Sequence, residues 1–279
     1  MLDKPEGPTS HDVVDMVRRA LRVRRVGHAG TLDPSASGLL LVLVGRATRL
    51  SRFLVGLPKS YIGGITLGVE TDTDDHTGAV LREDESWRSV SDEAVATAMQ
   101  QLTGRLEQLP PVYSAKHSGG QRAHRLARRG QPVELTPQDI EVTRFELAAR
   151  EGSRVTFAAD VGSGTYVRAL ARDLGRALGC GAHLHELRRT AVGPFRVEDA
   201  ARLETLEGEA PALKPPLEAV PHLPSCELDG EQRVRAAHGQ PLEGFDQPGD
   251  YVALVADGEL VAVAEPCGDV LKPRVVLEG

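Results

Sequence analysis

Cysteine is scarce, and its pattern excludes the chemistries it most often signals. Cys180, Cys226 and Cys267 are an odd number, widely separated, with no C-x-x-C pair. Neither a disulfide framework nor a zinc or dithiol site follows from them. A reducing compartment is expected, hence a cytoplasmic location. Long apolar runs are missing too: nothing approaches the roughly 18 residues of a membrane span, and the chain opens on Asp3-Lys4-Pro5 without a signal-peptide h-region. There is no G-x-x-x-x-G-K-[ST] phosphate loop. Thr71-Asp72-Thr73-Asp74-Asp75-His76-Thr77-Gly78 lacks the D-x-[DN]-x-[DN]-G spacing of a cation loop and reads as a hydrogen-bonded turn. No internal repeat is visible, and no metal is expected.

Positive charge is also in deficit, with 33 Lys and Arg against 40 Asp and Glu, a net charge of −7. That balance argues against a polyanionic partner until its distribution is considered. Arg18, Arg19, Arg22, Arg24 and Arg25 form one basic run, Lys116, Arg122, Arg125, Arg128 and Arg129 a second, and Arg168, Arg172, Arg176, Arg188 and Arg189 a third. The acidic excess lies around residues 70 to 108 and 198 to 231, so the expectation is a basic face on an acidic body. The alternative for each run is a solvated helix face.

What is present is an ordinary globular composition, 41% hydrophobic and 26% charged over 279 residues, enough for one domain and a small second one. Thr9 or Ser10 can cap a helix whose apolar positions are Val13, Val14, Val17, Ala20 and Leu21. Residues 38 to 44 are a continuous apolar run read as a buried strand, with a buried helix as the alternative that pattern alone leaves open. Strands are expected at Lys59 to Leu67 and Ser153 to Val161, and helices at 91 to 103 and 165 to 178, ending at Gly104 and Gly179. Strands and helices alternate without a regular βαβ repeat, which predicts an α+β fold: a mixed, largely antiparallel sheet with flanking helices. Prolines 211, 215, 216, 221 and 224 make 207 to 224 a connector. Beyond it, Tyr251 to Ala256 and Glu259 to Ala264 flank Asp257-Gly258, a type I′ hairpin signal, and Arg274 to Leu277 adds a strand to a small β-rich unit. The expected division is 1 to 212, a connector at 213 to 224, and 225 to 279.

The segment from Gly27 to Gly38 is the most informative. Its glycines, proline and small residues impose a tightly shaped loop that leaves Asp33 few conformations. On composition alone Asp33 is a turn aspartate.

Lys4-Pro5-x-Gly7-x-Thr9-Ser10 followed by Gly27-His28-x-Gly30-Thr31-Leu32-Asp33-Pro34-x-Ala36-x-Gly38 resembles the TruB family of tRNA pseudouridine synthases. Further blocks occur in that family's order: Gly45-Arg46-Ala47-Thr48-Arg49-Leu50, Lys59-x-Tyr61, Leu67-Gly68-x-x-Thr71-Asp72-Thr73-Asp74, Pro110-Pro111-x-Tyr113-Ser114-Ala115, Gly164-Thr165-Tyr166-x-Arg168 and Leu187-Arg188-Arg189-Thr190. Together they cover most of residues 1 to 195. The resemblance implies that Asp33 is the essential carboxylate, that Tyr61 packs on the target base, that Tyr166, Arg168 and Leu187 line the same pocket, and that His28 helps open the RNA loop. Lys4, Arg128, Arg188 and Arg189 are expected RNA contacts, and 225 to 279 resembles a short PUA domain. The implied partner is the T-stem-loop of tRNA; a monomer is expected because one active site and one RNA need no partner chain. The chain departs from the family at His117, where lysine is usual, and at His124, where tyrosine is usual.

The chemistry gives these residue types a reason. Pseudouridine formation breaks the bond from uracil N1 to C1′, turns the base and joins C5 to C1′; it needs no redox step, metal or nucleotide, so no cofactor is expected. A carboxylate near C1′ can attack it or remove a ribose proton to start an elimination. An arginine beside that carboxylate keeps it charged and oriented, which makes Arg168 the expected partner of Asp33, and the Tyr166 hydroxyl can relay the C5 proton. Three other functions stay open at this level. One is a guide-RNA-dependent synthase of the H/ACA type, which predicts partner proteins and a different tail. Another is an RNA-binding module without catalysis. The third is a hydrolase using Asp72 or Asp74 as its second carboxylate.

Overall fold

The computed structural model describes residues 1–113, 117–118, 121–122, 135–207, 212–245 and 249–278. The first helix, Ser10–Leu21, starts at Thr9. The Thr9 hydroxyl accepts from the Asp12 amide at 3.0 Å while the Asp12 carboxylate accepts from the Thr9 amide at 2.8 Å, a reciprocal cap. Val13, Val14 and Val17 are its buried stripe. Ser10 is thereby freed for a different task in the site. The helix Asp92–Gln101 is shorter than expected, and Gly104 (φ +100°) opens a strand instead of closing the helix. The helix Val167–Leu178 follows Tyr166 and ends at Gly179, φ +78°.

Nine strands form the main sheet, in the spatial order Ala201–Arg202, Leu2–Lys4, Ala36–Leu40, Ala182–Val192, Lys59–Leu67, Arg154–Val161, Gln138–Glu151 and Gly104–Gln108, with Phe195–Arg196 paired to Ala182–Val192. Leu2–Lys4 runs parallel to Ala201–Arg202, and Ala36–Leu40 runs parallel to Ala182–Val192; the other pairings are antiparallel. The sheet is mixed and largely antiparallel, as expected. Ile65, Phe157, Met99, Leu170 and Leu174 pack in the core that joins it to the helices.

The apolar run from 38 to 44 is not one strand. Ala36–Leu40 belongs to the main sheet, whereas Val42–Val44 pairs with Val26–His28 in a separate ribbon. The chain changes partner at Leu41, whose carbonyl accepts the Ala29 amide at 2.9 Å. A run buried on both sides carries no periodicity that would mark such a break.

The C-terminal unit is a five-stranded sheet, Ser225–Glu227, Val252–Ala256, Glu259–Cys267, Val270–Val276 and Leu242–Glu243, with the helix Gly230–Ala237 against it. Asp257 and Gly258 both have positive φ, 52° and 76°, which is the type I′ geometry read from the sequence. The described part of the connector is not slack: Val220 is buried in one cluster with Leu50, Phe53 and Ala253. The turn Gly45–Leu50 grips the last strand, with Arg46 donating to the Leu277 carbonyl at 3.1 Å and Arg49 to that of Val276 at 2.8 Å.

Candidate active site

Directly opposed residues of neighbouring strands present their side chains on one face. Across the main sheet this register sets Lys4, Gly38, Arg189, Tyr61 and Ala159 in one row, and Ala36, Leu187, Gly63 and Phe157 in the next. Over these rows lies the loop carrying Asp33. Its shape is set by bonds from four directions. The Ser10 hydroxyl donates to the Leu32 carbonyl and accepts from the Leu32 amide, at 3.0 and 2.8 Å. The Gly7 amide donates to the Pro34 carbonyl at 2.9 Å. From below, the Arg189 guanidinium donates to the carbonyls of Leu39 (2.8 Å), Gly30 (3.2 Å) and Thr31 (3.3 Å). The fourth is the Ala29 amide bond to Leu41 described above. Gly38 makes the close approach possible: a Cβ there would sit 2.2 Å from the Arg189 carbonyl oxygen.

Asp33 emerges from this loop with its side chain 42% exposed, 2.9 Å from Nε of Arg168, which is itself 7% exposed. The Nε–H is not aimed along a hydrogen bond, so the contact is one of opposite charges. Arg168 is aimed by its other nitrogens, which donate to the carbonyls of Thr73 at 2.9 Å and Tyr113 at 3.1 Å. Asp75 is a second anion, 3.7 Å from Arg168 Nε. Its Oδ1 accepts from the Thr73 hydroxyl, the Thr77 hydroxyl and the Thr77 amide at 2.8, 2.6 and 3.0 Å. Tyr61, Leu187, Leu32, Ala36 and Val167 lie in one apolar cluster, with Tyr61 and Leu187 each 9% exposed. The main chain of Tyr166 is fixed by Gln108, whose amide group pairs with the Tyr166 N–H at 2.9 Å and C=O at 3.2 Å.

Two neighbours have shifted affinities for protons. Burial pulls Lys4 down to about 8, offset in part by the charges of Glu6 and Asp33. Burial, then Arg189 and His11, lowers His28, so its imidazole is neutral at neutral pH. Among the described residues, the His28 Nδ1 is buried without a partner.

The expectations for RNA contacts need correction. Lys4 is 0% exposed, and its ammonium donates to the carbonyls of Pro5 and Pro8 at 2.8 and 3.0 Å. Arg189 is 1% exposed and fully engaged by the loop above it. Both are internal supports in this fold, because strand alternation turns them to the covered face. Arg188 lies on the other face, in a bidentate pair with Asp3 at 2.9 and 2.7 Å. The third basic run is therefore split: Arg168, Arg172 and Arg189 are buried, while Arg176 is exposed and Arg188 partly so. Arg128 and His124 lie outside the described residues, as does the side chain of His117. Thr73, Asp75 and Gln108 were not singled out from sequence as site residues. The one available signal was the position of Thr73 and Asp75 within and beside the Leu67 to Asp74 block.

A cavity of about 540 Å³ lies away from Asp33, lined in part by Val17, Leu21, Val42, Val44, Leu213 and Pro216; among the described residues, no expected site residue lines it.

Three family models match successive parts of the chain: the TruB family pseudouridylate synthase N-terminal domain at residues 18–167, the tRNA pseudouridylate synthase B C-terminal domain at 168–215, and the tRNA pseudouridine synthase II C-terminal model at 223–278. The tRNA pseudouridine synthase B of Mycobacterium leprae (strain TN) is 43% identical over 288 residues, covering 99% of this chain and 89% of the relative. That of Rhodococcus jostii (strain RHA1) is 43% identical over 275 residues, 96% of this chain and 90% of the relative. Among solved structures, an H/ACA RNP bound to a substrate RNA containing 2′-deoxyuridine superposes with a TM-score of 0.76 at 27% identity, over 100% of this chain and 84% of that one. A Cbf5-Nop10-Gar1 complex gives 0.76 at 28%, over 99% and 83%.

Proposed function

Because the chain belongs to the TruB family of pseudouridylate synthases, we propose that it converts uridine to pseudouridine at position 55 in the T-loop of tRNA, with Asp33 as its catalytic carboxylate. The observation that carries this reading is the half-exposed Asp33 set against buried Arg168 at 2.9 Å on a loop bonded from four directions. The guanidinium orients the carboxylate, and rigid placement is what a single attacking or proton-abstracting group needs.

The target nucleotide must leave the RNA stack to reach Asp33, at roughly a few kcal/mol in lost stacking. His28, neutral and at the loop's start, fills the vacated space. Tyr61 packs on the extruded uracil, Leu187 closes the pocket against water, and Tyr166 relays the C5 proton once C5 has joined C1′. Phosphate contacts come from the exposed arginines of the first run and of the turn after it. Arg25, Arg46, Arg49 and Arg52 are exposed, and their hydrogen bonds go to the Thr48 hydroxyl, the Leu277 and Val276 carbonyls and the Tyr251 hydroxyl, not to carboxylates. This leaves their charge for RNA beside the C-terminal sheet, which acts as an RNA-binding unit. Binding should then weaken steeply with salt.

The test is a T-stem-loop RNA tritiated at uridine C5. Tritium release with the RNA intact supports isomerisation; free uracil supports a hydrolase, and binding without either supports a catalytically silent module. Asp33→Asn should abolish release while leaving RNA affinity within about twofold, as expected when only a group acting in the transition state is removed. Retained turnover in that variant would sink the assignment.

A further inference from the structure

Arg168 is aimed at Asp33 by two carbonyls, those of Thr73 and Tyr113, and both belong to irregular segments. A carbonyl can fix a guanidinium only if its own segment is fixed. Arg172 lies one helical turn beyond Arg168, on the same face of Val167–Leu178, and reaches both segments at once. Its Nη1 is 3.1 Å from Asp74 Oδ2, the residue after Thr73, and its Nη2 donates to the Leu109 carbonyl at 2.7 Å, four residues before Tyr113. Its Nε donates to Asp173 at 2.9 Å, so every edge of the fork is engaged. The side chains of Arg172 and Asp74 are only 10% and 15% exposed. Asp74 is itself pinned to the sheet, its carbonyl accepting the Leu184 amide at 3.0 Å.

Nothing in the proposed reaction touches Arg172. We infer that Arg172 and Asp74 form a positioning clamp that seats the 71–78 turn and the 109–113 segment on the helix and, through their carbonyls, sets the direction in which Arg168 meets Asp33. This rests on reading Asp33 as the catalytic carboxylate. The planar fork is essential, because a lysine ammonium on a flexible stem cannot hold a carboxylate, a neighbouring carboxylate and a carbonyl in fixed directions. Breaking a buried pair from one side leaves an uncompensated charge. Burial already raises the proton affinity of Asp74, and Arg172 is the first charge that opposes the shift.

The test compares Arg172→Lys, Asp74→Asn and the double variant in the full chain. The readouts are melting temperature, affinity for the tritiated T-stem-loop, and single-turnover tritium release at saturating protein. Each single variant should release tritium on the order of tenfold more slowly, as misaligned catalytic groups do, with RNA affinity within about twofold. The double variant should be no slower than Arg172→Lys alone, since residues acting as one unit are non-additive. Unchanged rates in folded variants, or losses that multiply, would overturn the clamp. If Arg172→Lys fails to fold, Asp74→Asn carries the test with the same readouts. A wild-type protein that releases no tritium would sink the reading of the site itself, whereas an active wild type with insensitive variants sinks only the clamp.

Discussion

Arg189→Lys keeps a buried charge and removes the fork that holds the catalytic loop. The arginine donates three hydrogen bonds, to Leu39, Gly30 and Thr31, while 1% exposed. A lysine ammonium, shorter in reach, can keep about one of them and leaves two carbonyls facing a dry interior. Hydrogen bonds from charged donors are worth roughly 1.5 kcal/mol each at the lower end, so two lost bonds amount to about 3 kcal/mol. For a protein of this size a kcal/mol shifts the melting temperature by roughly 2 to 4 °C, which predicts a fall of about 6 to 12 °C. The loop above should relax at the same time, and single-turnover tritium release should drop well beyond tenfold, since an ångström of misplacement costs on the order of a hundredfold. RNA affinity should stay within about twofold, with an unchanged salt dependence, because no phosphate contact is lost. Calorimetry, salt-titrated RNA binding and single-turnover kinetics measure all three. An unaltered melting temperature with weaker RNA binding and a shallower salt slope would refute the argument and return Arg189 to the RNA surface.

Asp75→Asn puts a donor where Oδ1 accepts three hydrogen bonds and removes an anion beside Arg168; tritium release should slow on the order of tenfold or more, as loss of bonds to a charged group implies, and an unchanged rate would reduce Asp75 to a turn residue. Gly38→Ala should cost about 2 to 6 kcal/mol from strain and overpacking together, seen as lost soluble yield, whereas Gly7→Ala, with a similar φ but no atom within 4 Å of the new Cβ, carries the strain alone. Equal damage from the two would contradict the close approach of Gly38 to Arg189. Lys4, held at about 8 in the fold against roughly 10.4 when unfolded, binds fewer protons folded than unfolded between those values. Wild-type stability should therefore rise relative to Lys4→Met as pH climbs from about 8 toward 10; a pH-independent difference in melting temperature would count against burial as the cause.

The parts legible in the sequence are those that local chemistry dictates. The Gly27 to Gly38 loop, the Asp257-Gly258 hairpin and the helix ending at Gly179 follow from residues whose backbone preferences leave little choice, and the strands at Lys59–Leu67 and Arg154–Val161 follow from pattern. The pairing of Asp33 with Arg168 came from ordered family blocks, not from spacing, because the two are far apart in the chain. Cross-strand register was invisible. Lys4 and Arg189 look like surface cations in any local window, and only the row through Gly38 shows them to be buried. Thr9 and Ser10 were interchangeable as caps until the loop at Leu32 gave Ser10 another partner. Arg172 likewise looked like a solvated helix position, since what buries it is supplied by residues 74 and 109, which lie 98 and 63 places upstream.

The row through Gly38 also governs when the site can exist during synthesis. Leu2–Lys4 is flanked by Ala36–Leu40 and Ala201–Arg202, and the strand that completes the floor under Asp33 is Ala182–Val192. A ribosome moving at roughly 5 to 20 residues per second exposes the catalytic loop many seconds before Arg189 arrives to hold it. Until then the loop's carbonyls and the ammonium of Lys4 remain in water, and Asp33 faces neither Arg168 nor a pocket. The site is thus assembled from both ends of the domain, and a chain that stops short of residue 168 supplies neither the charge partner of Asp33 nor the guanidinium that holds its loop.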